Sequence, residues 1–237
     1  MGSNIRLDKI LSNLGYGTRS EIKKAVKKGA VTVNGIVVKS PEQKVSSDDV
    51  IAYEGRIIDS REHVYYMLNK PSGCITAKEE GCDTVFGYID DGRKGLFAVG
   101  RLDKDTEGLL LITDDGEFDH RLMSPAHHVE KEYEAVIDAP IDENLIELFS
   151  EGVDIGDEKL TKPAKLVILE NANERCLIRL YITERRYHQV KRMFEAFSRK
   201  VVALKRIRIG ALALDESLKP GEYRELTDEE IELLMKG

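Results

Sequence analysis

The sequence has few cysteines and no long apolar run. Its 237 residues include three cysteines, an odd number without a C-x-x-C pair, which argues against a disulfide framework or a zinc knuckle and predicts a reducing compartment, the cytoplasm. No apolar stretch approaches the roughly 20 residues needed to span a bilayer, so we expect no membrane segment. Six prolines, with 41% hydrophobic and 33% charged residues, are typical of a folded globular protein of one or two domains.

The signatures of several cofactor-dependent enzymes are also missing. The sequence contains no Walker loop, no G-x-G-x-x-G after a strand, no H-E-x-x-H and no nucleophile elbow. His127 and His128 are adjacent, and neighbours on a strand point to opposite faces, which does not favour joint metal ligation. We therefore expect neither a nucleotide cofactor nor a metal site.

The charge is unevenly distributed along a chain whose formal net charge is −7. Residues 1–60 carry 10 basic against 7 acidic side chains, and residues 175–210 carry 11 against 2. Residues 83–158, by contrast, carry 6 basic against 21 acidic side chains. A polyanion binds to one face of a protein, so the two basic segments are compatible with RNA or DNA binding despite the acidic total. The alternative is that they are ordinary solvated helices and strands.

The first sixty residues predict two helices followed by a hairpin. The first helix rests on apolar residues at i, i+3, i+4 and i+7, namely Leu7, Ile10, Leu11 and Leu14. Thr18 and Glu21 form a T-x-x-E capping box that predicts a second, strongly basic helix closed by Gly29. Asn34-Gly35 between two β-branched runs predicts a hairpin turn. Residues 55–63 lack apolar periodicity and are interpreted as containing a linker.

The string RLDKILSNLGYGTRSEIKKAVKKGAVTVNG resembles the S4-type RNA-binding module of ribosomal proteins and RNA-modifying enzymes. The match covers most of residues 5–52 and implies an S4-type domain, which we place at residues 1–58, followed by the linker at 59–63. It also implies that the basic second helix contacts phosphates of structured RNA without reading bases. The residues implied in this contact are Arg19, Lys23, Lys24, Lys27 and Lys28.

From residue 64 onward, strand-like runs alternate with shorter helical ones, which predicts an α+β domain over 64–237. The predicted strands are 64–69, 108–113, 131–138, 163–170, 175–183 and 201–209. Within this part, two glycines bracket a group of acidic residues in the string GRLDKDTEGLLLITDDG, residues 100–116. On local grounds Asp103 or Asp105 could simply organise the loop through Asx turns.

That string closely resembles the catalytic motif of pseudouridine synthases of the RsuA branch, which act on small-subunit ribosomal RNA. Further matches follow in order along the chain: MLNKP (67–71), SP (124–125), EKEY (130–133), LTKPA (160–164), RYHQVKRMF (186–194), LKRIRIG (204–210) and PGEYRELT (220–227). Arg185 stands where the family usually has Gly before the arginine of its last catalytic motif. The resemblance implies an S4-type domain followed by a mixed, largely antiparallel catalytic domain that uses no cofactor.

The resemblance also implies roles for individual residues. Asp103 would be the nucleophile, at the sugar or at the base, and Arg186 the cation that keeps it ionised and oriented. Tyr133 would stack on the flipped base and is a candidate for removing its C5 proton, while Leu204 would pack on the pocket. The residues expected to clamp the RNA backbone are Arg101, Lys191, Arg192, Lys205, Arg206 and Arg208. Strand alternation places Lys205 apart from Arg206 and Arg208.

Together these features predict a monomeric isomerase that converts one uridine of 16S ribosomal RNA, free or in a small-subunit assembly intermediate, to pseudouridine. One alternative is a large-subunit (23S) synthase of the same branch, because target choice depends on RNA shape. Another is a noncatalytic RNA-binding or assembly factor, and a third is an S4-type binder with an unrelated catalytic half. Turnover of uridine distinguishes the catalytic from the noncatalytic readings.

Overall fold

The computed structural model describes residues 5–46, 49–79, 81–124 and 126–236. Pro125, one residue of a matched motif, lies outside these ranges. The chain forms two compact units. The first comprises Met1–Val64 and Asp90–Phe97, and the second comprises Tyr65–Ile89 and Ala98–Gly237. No helix in the described ranges is long and apolar enough to cross a membrane.

The first unit combines two helices with short strands. Its elements are β1 (Ile5–Arg6), α1 (Leu7–Asn13), α2 (Arg19–Lys27), β2 (Val31–Val33), β3 (Ile36–Val37), β4 (Lys44–Val45), β5 (Ile51–Tyr53) and β6 (Arg56–Ile57). The predicted capping box is confirmed, because the Thr18 hydroxyl accepts a hydrogen bond from the Glu21 backbone and the Glu21 carboxylate accepts one from the Thr18 backbone. The apolar faces of both helices are buried on one core with the strands.

The predicted hairpin is confirmed as β2–β3. Asn34 and Gly35 both have positive φ, 51° and 79°, as a type I′ turn requires. A second hairpin, β5–β6, turns at Glu54 and Gly55, and its second strand falls within the stretch interpreted as containing the linker. The sequence did not predict this hairpin, because β6 has only two residues, both exposed, and so shows no alternation of apolar and polar side chains.

The second unit is built on one large sheet with helices packed against it. Its strands are β7 (Tyr65–Lys70), β8 (Phe97–Val99), β9 (Glu107–Thr113), β10 (Lys131–Ile137), β11 (Lys165–Ala172), β12 (Arg175–Ile182), β13 (Val201–Ile209), β14 (Leu212–Ala213) and β15 (Tyr223–Glu225). Its helices are α3 (Gly116–Met123), α4 (Asn144–Glu151), α5 (Gln189–Glu195) and α6 (Asp228–Lys236), with a 3₁₀ turn at Val85–Tyr88.

The central strand order is β11-β12-β10-β13-β9-β7-β15, with β14 beside β13 and β8 beside β9. The pairing between β13 and β9 is parallel, and the other registered pairs are antiparallel. Apolar side chains form one core with α4 and α5 and another with α3 and α6. The predicted mixed α+β class with a largely antiparallel sheet is confirmed.

A bulge in β13 changes which side chains share a face of the sheet. Tyr133 on β10 stands opposite Arg206, whereas Glu132, one residue earlier, stands opposite Arg208, so Ile207 is the extra residue on β13. Arg206 therefore shares the face of Tyr133, and Arg208 lies on the other face, where it bonds to Glu132 at 2.7 Å. The expectation that Arg206 and Arg208 share a face is wrong, because strict alternation does not anticipate the bulge.

Gly108 allows the two halves of the sheet to meet. At φ +99° it lies in the parallel contact of β9 with β13, where it pairs with Arg206. A Cβ atom at this position would lie 2.2 Å from the Arg206 carbonyl oxygen. A residue without a side chain is therefore needed for β9, and for the loop that leads into it, to approach β13.

Candidate active site

A cavity of about 810 Å³ opens beside the face of the sheet that carries Tyr133. It is lined by the loop between β8 and β9, by β10 and β13, and by the segment from the end of β12 into α5. Its basic lining residues are Arg101, Lys104, Lys131, Lys162, Arg185, Arg186, Lys191 and Arg206, and its acidic ones are Asp103 and Glu184. A cavity of this size and charge suits a polyanionic ligand that inserts one nucleotide.

Asp103 lies in the β8–β9 loop, which is held from two sides. Thr76 accepts a hydrogen bond from the Leu102 backbone nitrogen at 3.2 Å and donates one to the Leu102 carbonyl at 2.7 Å. The fully buried Lys70 ammonium donates to the carbonyls of Thr106 at 2.8 Å, Pro71 at 3.0 Å and Lys104 at 3.2 Å. Burial lowers the pKa of Lys70. These bonds fix the backbone around Asp103 while its carboxylate stays partly exposed.

Lys191 is the cation that reaches Asp103. Its Nζ lies 3.5 Å from one Asp103 oxygen and donates to Asp105 at 2.6 Å, which lowers the pKa of the Asp105 carboxyl. His188 Nε2 lies 3.7 Å from the other Asp103 oxygen. His188 has a left-handed backbone, φ 48°, immediately before α5 begins at Gln189. This turn directs the first turn of α5, with Lys191, back towards the Asp103 loop.

Tyr133 and Leu204 come from neighbouring strands on the cavity side of the sheet. Leu204 stands opposite Ala135 on β10, two residues from Tyr133, so strand alternation gives all three the same face. Leu204 is buried in the core under α5, and Tyr133 packs against the same core while remaining partly accessible. The cavity therefore presents a carboxylate, a phenol and an apolar side chain to whatever enters it.

Comparison with known proteins matches both units. The model of the RNA pseudouridylate synthase family matches residues 64–196, and the S4 domain matches residues 5–51. The chain belongs to the RNA pseudouridylate synthase family. The predicted resemblance to RsuA-type synthases with an S4 domain is confirmed, and so is the class of enzyme, an isomerase.

Several relatives match over almost their whole length. One is "Ribosomal small subunit pseudouridine synthase A" of Haemophilus influenzae, 46% identical, with 98% of this chain and 100% of the relative covered. An uncharacterized RNA pseudouridine synthase of Bacillus subtilis is also 46% identical, with 97% and 98% covered. A crystal structure of a pseudouridylate synthase is 44% identical with a TM-score of 0.69, covering 97% of this chain and 99% of the other.

The guanidinium of Arg186 does not contact Asp103. It donates to the carbonyls of Lys159 at 2.7 Å and Leu160 at 2.5 Å, and it lies near Asp157 at 3.4 Å and Glu184 at 3.2 Å. No ion pair joins it to Asp103 within the part of the chain that the structure describes. Of the three arginine and lysine residues in the RYHQVKR string, the structure brings Lys191 to Asp103 because of the turn at His188.

The residues expected to clamp RNA around the synthase cavity are placed differently from one another, and two of them, Lys191 and Arg208, contact acidic side chains of the protein. Arg101 is exposed on the cavity lining, as expected of a phosphate contact. Arg192 instead binds the Ile155 carbonyl at 2.5 Å and Asp157 at 2.6 Å, so it holds the loop between α4 and β11. Lys205 stands opposite Glu134, on the sheet face away from the cavity, and Arg206 is buried.

Arg185 and Lys131 are among the cavity residues for which the sequence predicted no role in the synthase. The Arg185 side chain is exposed at the cavity, but partial desolvation of its guanidinium by the cavity wall, and then the nearby charge of Arg101, lowers its pKa, while Tyr133 and Asp103 act to raise it. Lys131 is almost fully buried, and burial lowers the pKa of its ammonium to about 8. On a β-strand, a lysine two residues before a tyrosine lies on the same face of the sheet as that tyrosine. The EKEY string therefore already indicated that Lys131 shares the face of Tyr133.

The basic helix of the S4 unit carries the remaining predicted RNA contacts. Four of them are exposed on or just after α2: Arg19, Lys24, Lys27 and Lys28. Lys23 is half-buried and lies 4.0 Å from the buried carboxylate of Asp8, which also binds Arg6 at 2.9 Å. Lys23 is therefore partly engaged within the protein, whereas the other four present exposed charge.

Proposed function

We propose that this protein converts one specific uridine of 16S ribosomal RNA to pseudouridine, with Asp103 as the nucleophile. The observation that carries the proposal is the Asp103–Lys191 pair in a basic cavity that also exposes Tyr133. The small-subunit target is supported by relatives of that printed name, which match over nearly the whole of both chains. We further propose a cytoplasmic monomer, in keeping with three free cysteines.

In this proposal Lys191, and not Arg186 as the sequence suggested, is the cation that keeps Asp103 ionised. A carboxylate that enters a closed pocket loses hydration and tends to gain a proton, unless a cation compensates. Lys191 supplies that compensation at 3.5 Å, and Asp105 holds the ammonium in place from its other side. Arg186 and Arg192 act on the loop after α4, which contributes Lys162 to the cavity.

The reaction then needs a turn of the base within the cavity. Asp103 bonds to ribose C1′ as the bond from C1′ to N1 breaks, the base rotates, and C5 then forms the new bond to C1′ while the bond from Asp103 to C1′ breaks. Tyr133 is proposed to stack on the flipped base and to accept the proton that leaves C5, while N1 gains a proton, so the change is an isomerisation. Leu204 bounds the base pocket on its apolar side. In the S4 unit, Arg19, Lys24, Lys27 and Lys28 are proposed to bind phosphates of the same RNA.

The test is pseudouridine mapping of ribosomal RNA from cells that lack the protein, complemented with wild type, Asp103→Asn or Asp142→Asn. Asp142 is an exposed carboxylate before α4 whose capping bond to Asn144 an asparagine can keep, so it is a matched control. We expect one 16S signal that wild type and Asp142→Asn restore and Asp103→Asn does not. Restoration of a 23S signal instead would assign the protein to the large subunit. No change in any pseudouridine would favour the noncatalytic binding factor.

Lys191 and Arg186 are separated by a second set of variants. We expect Lys191→Met to lower the rate of conversion by about 100-fold and Lys191→Arg to recover most of it, because a guanidinium keeps the charge beside Asp103. Arg186→Lys is expected to have a smaller effect, since two of its bonds are to carbonyls that an ammonium can reach. The reverse order of effects would return the catalytic pairing to Arg186.

A further inference from the structure

Two buried cations form the inner wall of the cavity. Lys131 on β10 is 9% exposed, and its ammonium donates to the Val129 carbonyl at 2.5 Å. Arg206 on β13 is 3% exposed, and its Nε donates to the Leu109 carbonyl at 2.9 Å. Its Nη2 is buried and has no hydrogen-bond partner among the described residues. Both side chains therefore line the cavity with donor capacity that the protein itself leaves unused.

Both cations flank Tyr133. Lys131 precedes Tyr133 by two residues on the same strand, so the two share a face of the sheet. Arg206 stands directly opposite Tyr133 on β13, and the bulge at Ile207 is what puts it on this face. Directly opposed residues on neighbouring strands have side chains in contact range. The pair therefore borders the site proposed for the flipped base.

No carboxylate balances this pair. Ion pairs of Lys131 or Arg206 with an acid are absent from the described parts of the chain, and the charges that act on Lys131 are those of Arg206 and Arg185. Buried like charges without a counterion are unfavourable in the free protein. Such an arrangement is typical of a functional site whose missing negative charge is supplied by a ligand.

We propose that Lys131 and Arg206 form a subsite that binds the negative charge of the uracil base while it is detached from the ribose. The inference rests on the proposed function and assigns residues to one step of it. When the C1′–N1 bond breaks, its electron pair leaves with the base and spreads over N1, O2 and O4. When C5 bonds to C1′, the charge is consumed, the C5 proton leaves and N1 is protonated.

The position of the pair favours the base over a backbone phosphate. Lys131 and Arg206 are buried beside Tyr133, whereas Arg101 and Arg185 are exposed in the same cavity. A phosphodiester is strongly hydrated and remains outside the pocket when a base is flipped into it, so the exposed arginines are the groups it can reach. A donor that acts only on charge that develops during the reaction changes the rate more than the binding.

The charge of Lys131 is also sensitive to pH. Burial first, and then the charges of Arg206 and Arg185, lower its pKa to about 8. Facing it are Tyr133 from its own strand, Arg206 from β13, Arg185 from the segment before α5 and the apolar Ile182 from β12. The remaining titratable groups of the cavity are Arg101, Asp103, Lys104, Lys162, Glu184, Arg186, Tyr187, His188 and Lys191. The ammonium is therefore largely charged at pH 7 and largely neutral above pH 9.

The experiment measures tritium release from ribosomal RNA labelled with [5-³H]uridine and isolated, as particles and as deproteinised RNA, from cells that lack the protein. Single-turnover rates at saturating enzyme report the chemistry, and filter binding of the same RNA reports affinity. The variants are Lys131→Met and Lys131→Arg. Lys165→Met is the control, because Lys165 is exposed on β11 and lies over Tyr181 outside the cavity. Circular dichroism verifies that each variant is folded.

We expect Lys131→Met to lower the single-turnover rate at pH 7 by about 100-fold while the Kd for RNA changes by less than about twofold. Lys131→Arg should recover most of the rate and, because a guanidinium does not lose its proton, should remove the decline that wild type shows above about pH 8. Lys165→Met should match wild type in rate and affinity.

Three results would overturn the inference. If Lys131→Met weakens RNA binding but leaves the single-turnover rate unchanged, the ammonium binds a phosphate instead. If neither quantity changes, or if Lys131→Arg fails to recover the rate and keeps the alkaline decline, charge at this position does not assist the reaction. Absence of tritium release by wild type would refute the proposed function itself, which is a different outcome from an active wild type with an equally active Lys131→Met.

Discussion

Replacing Lys131 by Met is expected to stabilise the fold at neutral pH, although it removes a group proposed to act in the reaction. The Lys131 ammonium has a pKa of about 8 in the folded protein, against 10.5 for the free side chain. A base with a lowered pKa binds fewer protons when folded, so its charge opposes folding below about pH 8. The opposition fades as the pH rises towards 10.5 and the unfolded state also loses its proton.

The magnitude follows from the two pKa values. The charge of Lys131 costs about 3 kcal/mol of stability at pH 7 and about 1 kcal/mol at pH 9.5. Met fills a similar volume and carries no charge, but it loses the hydrogen bond to the Val129 carbonyl, worth about 1 to 2 kcal/mol. Lys131→Met should therefore be about 1 to 2 kcal/mol more stable than wild type at pH 7 and no more stable than wild type at pH 9.5.

The assay is urea unfolding at both pH values, followed by far-UV circular dichroism. Comparing the variant with wild type at each pH removes the contribution of other groups that titrate in both proteins. Lys165→Met serves again as the control and should differ little from wild type at either pH. A stability difference between Lys131→Met and wild type that stays constant from pH 7 to pH 9.5 would refute the reasoning about the buried charge.

Three further predictions concern the stability of the fold. Gly108→Ala should destabilise the protein by about 3 kcal/mol or more, because φ is positive at this position and a Cβ atom would clash with the Arg206 carbonyl oxygen. Urea unfolding measures the effect, and an unchanged midpoint would contradict the prediction. Lys70→Met should lower the free energy of unfolding by about 2 to 4 kcal/mol and speed amide hydrogen exchange in residues 102–107, because the three hydrogen bonds from its ammonium to backbone carbonyls are lost. Unaltered exchange in these residues would argue against the prediction. The pKa of Asp215 is lowered to about 2 by bonds from Ser217 and Arg224, so its stabilising effect is complete above pH 4 and lost as the pH falls through 2. In acid titrations, the Asp215→Asn variant should therefore lose less unfolding free energy than wild type between pH 4 and pH 2.

The elements that sequence alone predicted are those specified by neighbouring residues. The capping box of α2 and the Asn-Gly turn of β2–β3 both depend on contacts within a few positions, and both were confirmed. Long alternating strands such as β10, β12 and β13 were likewise predicted to within one or two residues. The hairpin β5–β6 was not, because its two-residue strand carries no period and is stabilised by pairing across the sheet.

The features of the candidate site can likewise be divided into those specified by neighbouring residues and those specified by long-range contacts. The string around Asp103 was identified by its resemblance to the family motif, and the strands that carry Tyr133 and Leu204 from their apolar pattern, since the order of residues along one segment determines which of them can share a loop or a face. Which cation meets Asp103 depends on the left-handed turn at His188, and which arginine enters the cavity depends on the bulge at Ile207. The turn and the bulge both depend on packing between segments far apart in the chain, where contacts override local periodicity. Only the tertiary structure therefore shows that Lys191 rather than Arg186 lies beside Asp103, and that Arg206 and Arg208 lie on opposite faces of the sheet.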